Sequence, residues 1–287
     1  MSTYYDEQFL DYTPISVVDL PRFLEDLGKD AKVLSLDCFD TLLWRKFALP
    51  SDVFYELGRE NKLMESHLNI SKRVLAETKS RKSRLVLGLS GEVTLEEIYK
   101  NIFPNSTEAA ITSFVKNEIN LEKQACFIFE PIYDLIVSTK NRGLKTIIVS
   151  DTYLNGVQLQ NLIEHCAKKI GRDCPIDHFF SSSDYRTSKS EGLLNKVAKD
   201  LNVSVNDIIH LGDNQEADLH GARRVGVKGY HLAQFNQQTE EIIHQFSNIS
   251  GTLKPSIRYT EPLICRWRPT WATLEEQTAV ENIGCYT

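Results

Sequence analysis

The sequence predicts an α/β protein: a doubly wound parallel sheet with a helical segment inserted after the first strand. Three observations carry this reading. Short apolar runs end abruptly in polar residues, at 33–36 before Asp37, at 145–149 before Ser150 and at 207–211 before Gly212-Asp213. From about residue 126 to 232 such runs alternate with helical stretches, the pattern of strand-helix-strand units. Between about 45 and 125 the β-branched runs vanish and helical periodicity takes over.

The elements follow in order. Asp19-Leu20-Pro21 reads as an N-cap with proline near the first helical position, and Gly28 sits where a helix ends. Residues 32–36 are the first strand. In the insertion, Ser51 caps a helix running through Val53, Phe54 and Leu57, and Arg73, Glu77 and Arg81 share a helix face four apart. Thr94-Leu95-Glu96-Glu97 opens a helix as a capping box would, one residue out of register. A helix then runs through Leu159, Leu162, Ile163 and Cys166 to Gly171, a strand lies near 178–181, and Ser188 caps the next helix. After the strand at 207–211 a helix reaches Gly226, and residues 227–232 close the sheet. The boundaries expected are a core of 1–44 with 126–251, a cap of 45–125, and a tail of 252–287 of unknown role, whose apolar ending fits a chain that continues into a further domain.

At 287 residues the chain is long for one domain of about 100–200, which fits a core with one large insertion. Hydrophobic residues make up 41% and charged residues 25%, proportions that exclude disorder and small disulfide scaffolds. The net charge is −6 and no basic run forms a phosphate-tracking stripe, so nucleic acid is not an expected partner. No apolar stretch approaches the roughly 18 residues of a membrane span, and the N-terminus has no signal-peptide pattern, so a cytoplasmic location is expected. The six cysteines have irregular spacing and no CxxC, which reads as reduced, mostly buried thiols rather than a zinc site.

Polar clusters at strand ends lie where open α/β sheets bind ligands. Singly, an Asp or Ser after a strand is an ordinary helix N-cap and a lysine at a helix start is ordinarily solvated. Their order carries more. The run Val33-Leu34-Ser35-Leu36-Asp37-Cys38-Phe39-Asp40-Thr41-Leu42, followed by Thr146-Ile147-Ile148-Val149-Ser150, by Lys189 and by Leu211-Gly212-Asp213-Asn214-Gln215-Glu216-Ala217-Asp218, resembles the four motifs of the haloacid dehalogenase (HAD) superfamily. More narrowly, Ser150-Asp151-Thr152-Tyr153-Leu154 and His210-Leu211-Gly212-Asp213-Asn214 resemble a bacterial subgroup found with glycosyltransferases of surface-polysaccharide synthesis.

The resemblance implies a Rossmann-like core, Asp37 as a nucleophile that forms an aspartyl-phosphate, and Ser150 and Lys189 as catalytic groups holding the transferring phosphoryl. It further implies Thr41 and Asn214 as substrate contacts beside Ser150 and Lys189, and Mg²⁺ held by Asp37, the Phe39 carbonyl and Asp213 with support from Asp218. Hard oxygen ligands of this kind suit that ion. One position departs from the pattern. Phosphatases of the superfamily carry an Asp general acid two residues after the nucleophile, and here that residue is Phe39. Loss of such a group costs about 10²–10⁴-fold in rate. Three readings stay open: a substrate whose leaving group needs little protonation; a proton supplied by Asp40, a cap residue or water; or a task other than hydrolysis. If the missing acid is what limits hydrolysis, Phe39→Asp is expected to raise activity; no gain would mean that another group already supplies the proton or that the chemistry is different.

Arg45, Lys46, Arg59, Lys72 and Arg73 are expected mostly as solvated helix residues, with Phe47, Phe54 and Tyr55 as cap core. A cap of this size favours a small phosphorylated metabolite such as a sugar or polyol phosphate. The expected function is a Mg²⁺-dependent phosphohydrolase. The alternatives are a degenerate domain that binds a phosphorylated ligand or a partner glycosyltransferase, and a non-phosphoryl hydrolase, against which the retained Gly212-Asp213 and Asp218 count.

Overall fold

The computed structural model describes residues 14–27, 31–46, 50–54, 57 and 70–234. The expected helix end at Gly28, Phe47, Tyr55, Arg59, most of the Ser51-capped helix, and the tail with Cys265 and Cys285 lie outside the described residues. A five-stranded parallel sheet has the order β5 (His178–Ser181), β4 (Lys145–Ser150), β1 (Val33–Leu36), β6 (Ile208–Gly212), β7 (Lys228–His231). It is flanked by helices, as a HAD-type Rossmann-like core requires. The central strands are apolar on both sides because helices cover both faces. Val33, Leu34, Leu36, Ile147, Ile148, Val149, Ile208 and Leu211 are all buried.

Helix α1 (Leu20–Asp26) carries the expected proline in its first turn. Helices α5 (Glu130–Asn141), α6 (Gly156–Lys169), the single turn α7 (Ser182–Tyr185), α8 (Leu193–Asp200) and α9 (Gly221–Arg224) complete the core. The helix expected after β6 is not uniform: residues Gln215–His220 form a π-helical turn before α9.

The insertion contains α2 (Ile70–Val86), α3 (Leu95–Ile102) and α4 (Glu108–Ala125). Thr94 and Glu97 make a capping box in register, not one residue out: Glu97 N donates to Thr94 Oγ1 at 3.3 Å and Thr94 N to Glu97 Oε2 at 2.8 Å. The insertion also leaves and re-enters the core through two short strands that the sequence did not show. β2 (Leu43–Arg45) and β3 (Cys126–Ile128) pair antiparallel, with Arg45 opposite Cys126.

Two of the cap arginines are not solvated. Arg73, 0% exposed, makes a two-pronged pair with Glu118 at 2.7 and 2.8 Å, and Tyr99 adds a hydroxyl to the same carboxylate at 2.7 Å. One turn further along α4, Glu122 grips Arg45 through two bonds of 3.0 Å. The expected face of α2 is present too, Glu77 bridging Arg73 and Arg81. A buried guanidinium that loses its carboxylate is left uncompensated in a low-dielectric setting. Glu118→Ala is therefore expected to lower stability by about 3–5 kcal/mol, measured by urea unfolding, whereas a loss under 1 kcal/mol would show the pair contributes little.

Candidate active site

Four loops meet at the carboxyl edge of the sheet. Asp37 leaves β1 with its backbone N–H on the Leu211 carbonyl at 3.0 Å, which ties the nucleophile position to β6. Ser150 is the last residue of β4 and 2% exposed, and its hydroxyl has no hydrogen-bond partner among the described residues. Lys189 opens a short turn capped by Ser188, and its chain runs inward, 2% exposed. Asp213 and Asp218 follow β6.

Lys189 is the hub. Its Nζ donates to Asp37 Oδ1 at 2.6 Å and also to Asp218 Oδ1. A buried ammonium needs such partners, because desolvation alone would drive off its proton. The two carboxylates outweigh burial and hold its pKa well above that of an ordinary lysine.

Asp218 is organised from behind. His210 Nε2 lies 3.1 Å from the same Oδ1, and His210 Nδ1 lies 2.8 Å from Ser35 Oγ on the neighbouring strand. Asn214 N donates to Oδ2 at 2.8 Å. Burial alone would raise the Asp218 pKa, but Lys189 and His210 prevail and hold its carboxyl well below the usual range. This fit requires Gly212: a Cβ there would stand 2.2 Å from Asp218 Oδ2.

Asp213 is in the opposite condition. Burial drives its pKa well above the carboxylate range, and the charges of Asp37, Asp40 and Asp218 push it further. Oxygens of Asp37, Asp213 and Asp218 all lie within 4.8 Å of one another, a cluster of acidic groups able to hold a metal ion.

Several of the expected site residues are engaged within the protein. Thr41, fully buried, spends its hydroxyl on Asp213, donating to Oδ1 at 3.2 Å and accepting from Asp213 N at 3.1 Å. Its hydroxyl thereby positions Asp213. Asn214 uses its side-chain oxygen to cap the π-helical turn, accepting from Glu216 N and Ala217 N at 3.0 and 2.9 Å, so that oxygen is not offered to a substrate. Both oxygens of Asp218 are engaged within the protein, which makes it a support for Lys189 and the loop before it is a ligand. Phe39 lies under the Arg45 guanidinium, 4.0 Å from Cζ to the ring centroid.

Residues to which the sequence reading gave no role are His210, Ser35 and Asp151. Asp151 Oδ1 accepts from Lys189 N at 2.9 Å. The cap meets the core beside this place through residues 90–97: Ser182 Oγ donates to Glu92 Oε2 at 2.6 Å, Leu95 N to Tyr153 O at 3.0 Å, and Arg186 grips Glu97 through bonds of 2.6 and 3.1 Å.

Residues 61–231 match the family described as haloacid dehalogenase-like hydrolase. The chain belongs to this family. Among solved structures, this hydrolase is similar to L-2-haloacid dehalogenase from Xanthobacter autotrophicus with chloropropionic acid covalently bound, at 14% identity and a TM-score of 0.50, covering 83% of this chain and 89% of that one. It is also similar to a predicted phosphoglycolate phosphatase from Haemophilus somnus 129PT, at 10% identity and TM-score 0.44, covering 71% and 89%. No curated protein matches the sequence. At 14% identity the likeness to the dehalogenase is one of fold alone. Among the described residues of the hydrolase, no helix is long and apolar enough to cross a membrane.

Asp213 and Asp218 should respond oppositely to neutralisation. In EDTA, Asp218→Asn is expected to destabilise by about 2 kcal/mol or more, since it strips Lys189 and His210 of a charged partner. Asp213→Asn should leave the thermal midpoint unchanged or raised, because it relieves crowded anions. Equal losses in the two melts would refute the distinction.

Proposed function

We propose that this hydrolase is a Mg²⁺-dependent phosphatase that transfers the phosphoryl group of a small phosphorylated metabolite to Asp37 and then to water. The observation that carries the reading is the pairing of Asp37 with a buried lysine beside a third, electrostatically crowded carboxylate. A carboxylate that displaces a leaving group from carbon has no use for Asp213 so close to it. Attack on a phosphoryl dianion does, because cationic charge must offset the anions that meet there.

The donor set fits a hard divalent cation. Asp37 and Asp213 present carboxylate oxygens, the Phe39 carbonyl lies in the loop between β1 and Thr41, and the negative charges of Asp37, Asp40 and Asp218 crowded on the buried Asp213 are of the kind a divalent cation offsets. When bound, such an ion neutralises phosphate charge. The remaining work falls to side chains. Asp37 attacks phosphorus, Lys189 orients Asp37 and donates to phosphoryl oxygens, and the unpaired hydroxyl of Ser150 donates to another. Splitting the transfer into two displacements lowers each barrier. The cap segment 90–97 latched beside the loops excludes water and favours a substrate of sugar or polyol phosphate size. Association with a glycosyltransferase belongs to the same proposal and rests on the motif resemblance alone.

Phosphate release is the test, across sugar, polyol, nucleotide and acyl phosphates with and without Mg²⁺. Metal-dependent release is expected, with loss of at least about 10³-fold in Asp37→Asn; a folded enzyme silent on every ester would overturn the proposal.

Arg45 also revises what an acid at position 39 can do. An Asp introduced there stands beside a guanidinium already fixed by Glu122, which holds its carboxyl ionised and makes it a poor proton donor. Phe39→Asp is accordingly expected to leave phosphate release at or below the wild-type rate, and a tenfold gain would show that the Arg45 charge does not govern the position.

A further inference from the structure

The transfer to Asp37 leaves an alkoxide unless something protonates it, and Phe39 cannot. The groups around the site narrow the choice. Asp218 has both oxygens engaged, and His210 is 0% exposed behind it. Asp40 sits in a left-handed turn, φ 59°, with its N–H on the Leu43 carbonyl at 2.7 Å, on the Asp213 side of the loop. Glu92 is held by Ser182 and by Arg81 at 2.6 and 3.3 Å.

Asp151 differs from all of these. It directly follows Ser150 and is exposed to the cleft. Its Oδ1 is pinned by Lys189 N at 2.9 Å, while Oδ2 has no hydrogen-bond partner among the described residues. It lies close enough to both Asp37 and Glu92 of the cap to feel their charges. In an in-line displacement the leaving oxygen departs away from the attacking carboxylate, so its proton donor has to lie beyond Asp37, and Asp151 is the acid whose charge couples to both Asp37 and the cap residue Glu92.

We infer that Asp151 is the general acid and base of this hydrolase, taking the role that the residue at position 39 lacks, and that its natural substrates are phosphate monoesters of alcohols. The inference rests on the phosphatase reading. As the bond from phosphorus to the ester oxygen breaks and the bond to Asp37 forms, the Asp151 proton passes to the departing oxygen and gives the alcohol. Water then attacks phosphorus and returns a proton to Asp151, the bond to Asp37 breaks, and inorganic phosphate leaves. Electrostatics support the assignment: crowding by protein atoms raises the Asp151 pKa, Lys189 opposes, and Asp37 and Glu92 add to the rise, leaving it at about 6. The acid form thus persists close to neutrality.

The test compares kcat/KM, which covers the steps through phosphoenzyme formation, for wild type and Asp151→Asn. The probes are glycerol phosphate, whose alcohol needs a proton, and acetyl phosphate and p-nitrophenyl phosphate, whose leaving groups do not. Asn keeps the acceptor for Lys189 N, and thermal melts of both proteins verify the fold. The expected result is a loss of about 10²–10⁴-fold on glycerol phosphate and less than about tenfold on the two activated substrates. Wild-type activity on glycerol phosphate should also fall above about pH 6, where Asp151 loses its proton under the influence of Lys189, Asp37 and Glu92. Equal losses on all three probes, or none, overturn the inference and leave the phosphatase reading standing, as does wild-type activity confined to the activated probes. Wild-type silence on all three overturns both.

Discussion

A fully buried ammonium is the constraint around which the rest of the site is arranged. Lys189 is held in a place where its charge survives only if carboxylates are held there with it, and each carboxylate has to be held by something else. Asp218 is fixed by His210, which is fixed in turn by Ser35, so that β1 and β6 are joined by side chains as well as by their backbone ladder. The price is steric: Gly212 must lack a side chain to admit Asp218, and a Cβ on Gly229 of β7 would meet the Leu219 and Asp218 carbonyls at 2.7 and 2.9 Å. Two glycines on adjacent strands thus let the π-helical turn press against the sheet. The wider turn brings Asp218 under the lysine.

Much of this edge was legible because its signals are local. An apolar run that stops at a polar residue marks a strand end whatever the partner strand is, so Asp37, Ser150 and Asp213 could be placed together once the order of strands and helices was read. The parts that were not legible are pairs. Arg45 with Glu122 and Arg73 with Glu118 are separated by 77 and 45 residues, and no spacing rule connects them. From sequence a lone arginine in a helical region reads as solvated, and only packing shows otherwise. Strands of three residues such as β2 and β3 carry too little period to be seen. Asp151 was hidden differently. It stood inside a motif, where the serine before it drew the chemistry and an aspartate after a strand had an ordinary cap explanation.

The cap joins the core through an apolar seam, in which Leu95, Ile111 and Val115 belong to one cluster with Leu159, Leu162 and Ile163, and through polar contacts at its near edge. Arg186, itself in a left-handed conformation at φ 51°, grips Glu97, Ser90 donates to Glu191 at 3.1 Å, and Gln158 to Glu96 at 2.9 Å. These groups are partly exposed, and each such pair contributes only about 0–1 kcal/mol. The interior of the cap is tied by buried pairs instead. The rim beside the loops is thus the weakly held part of the cap, and the apolar seam and the buried pairs are the firmly held part.

Phe39 belongs to this mechanical arrangement as much as to the chemistry. Arg45 ends β2, Cys126 begins β3 opposite it, and Glu122 lies on the last turn of the helix leading into β3, so both crossings between core and cap converge on one ion pair. The guanidinium of that pair rests on the Phe39 ring. A planar cation over an aromatic face gains attraction without a hydrogen bond to fix its angle, which lets the crossing shift while contact is kept. A carboxylate at position 39 would compete with Glu122 for the same cation and tie the nucleophile loop to the crossing. An aromatic residue there and an acid after β4 are two sides of one solution: the proton donor is kept on the sheet, apart from the strands that join core and cap.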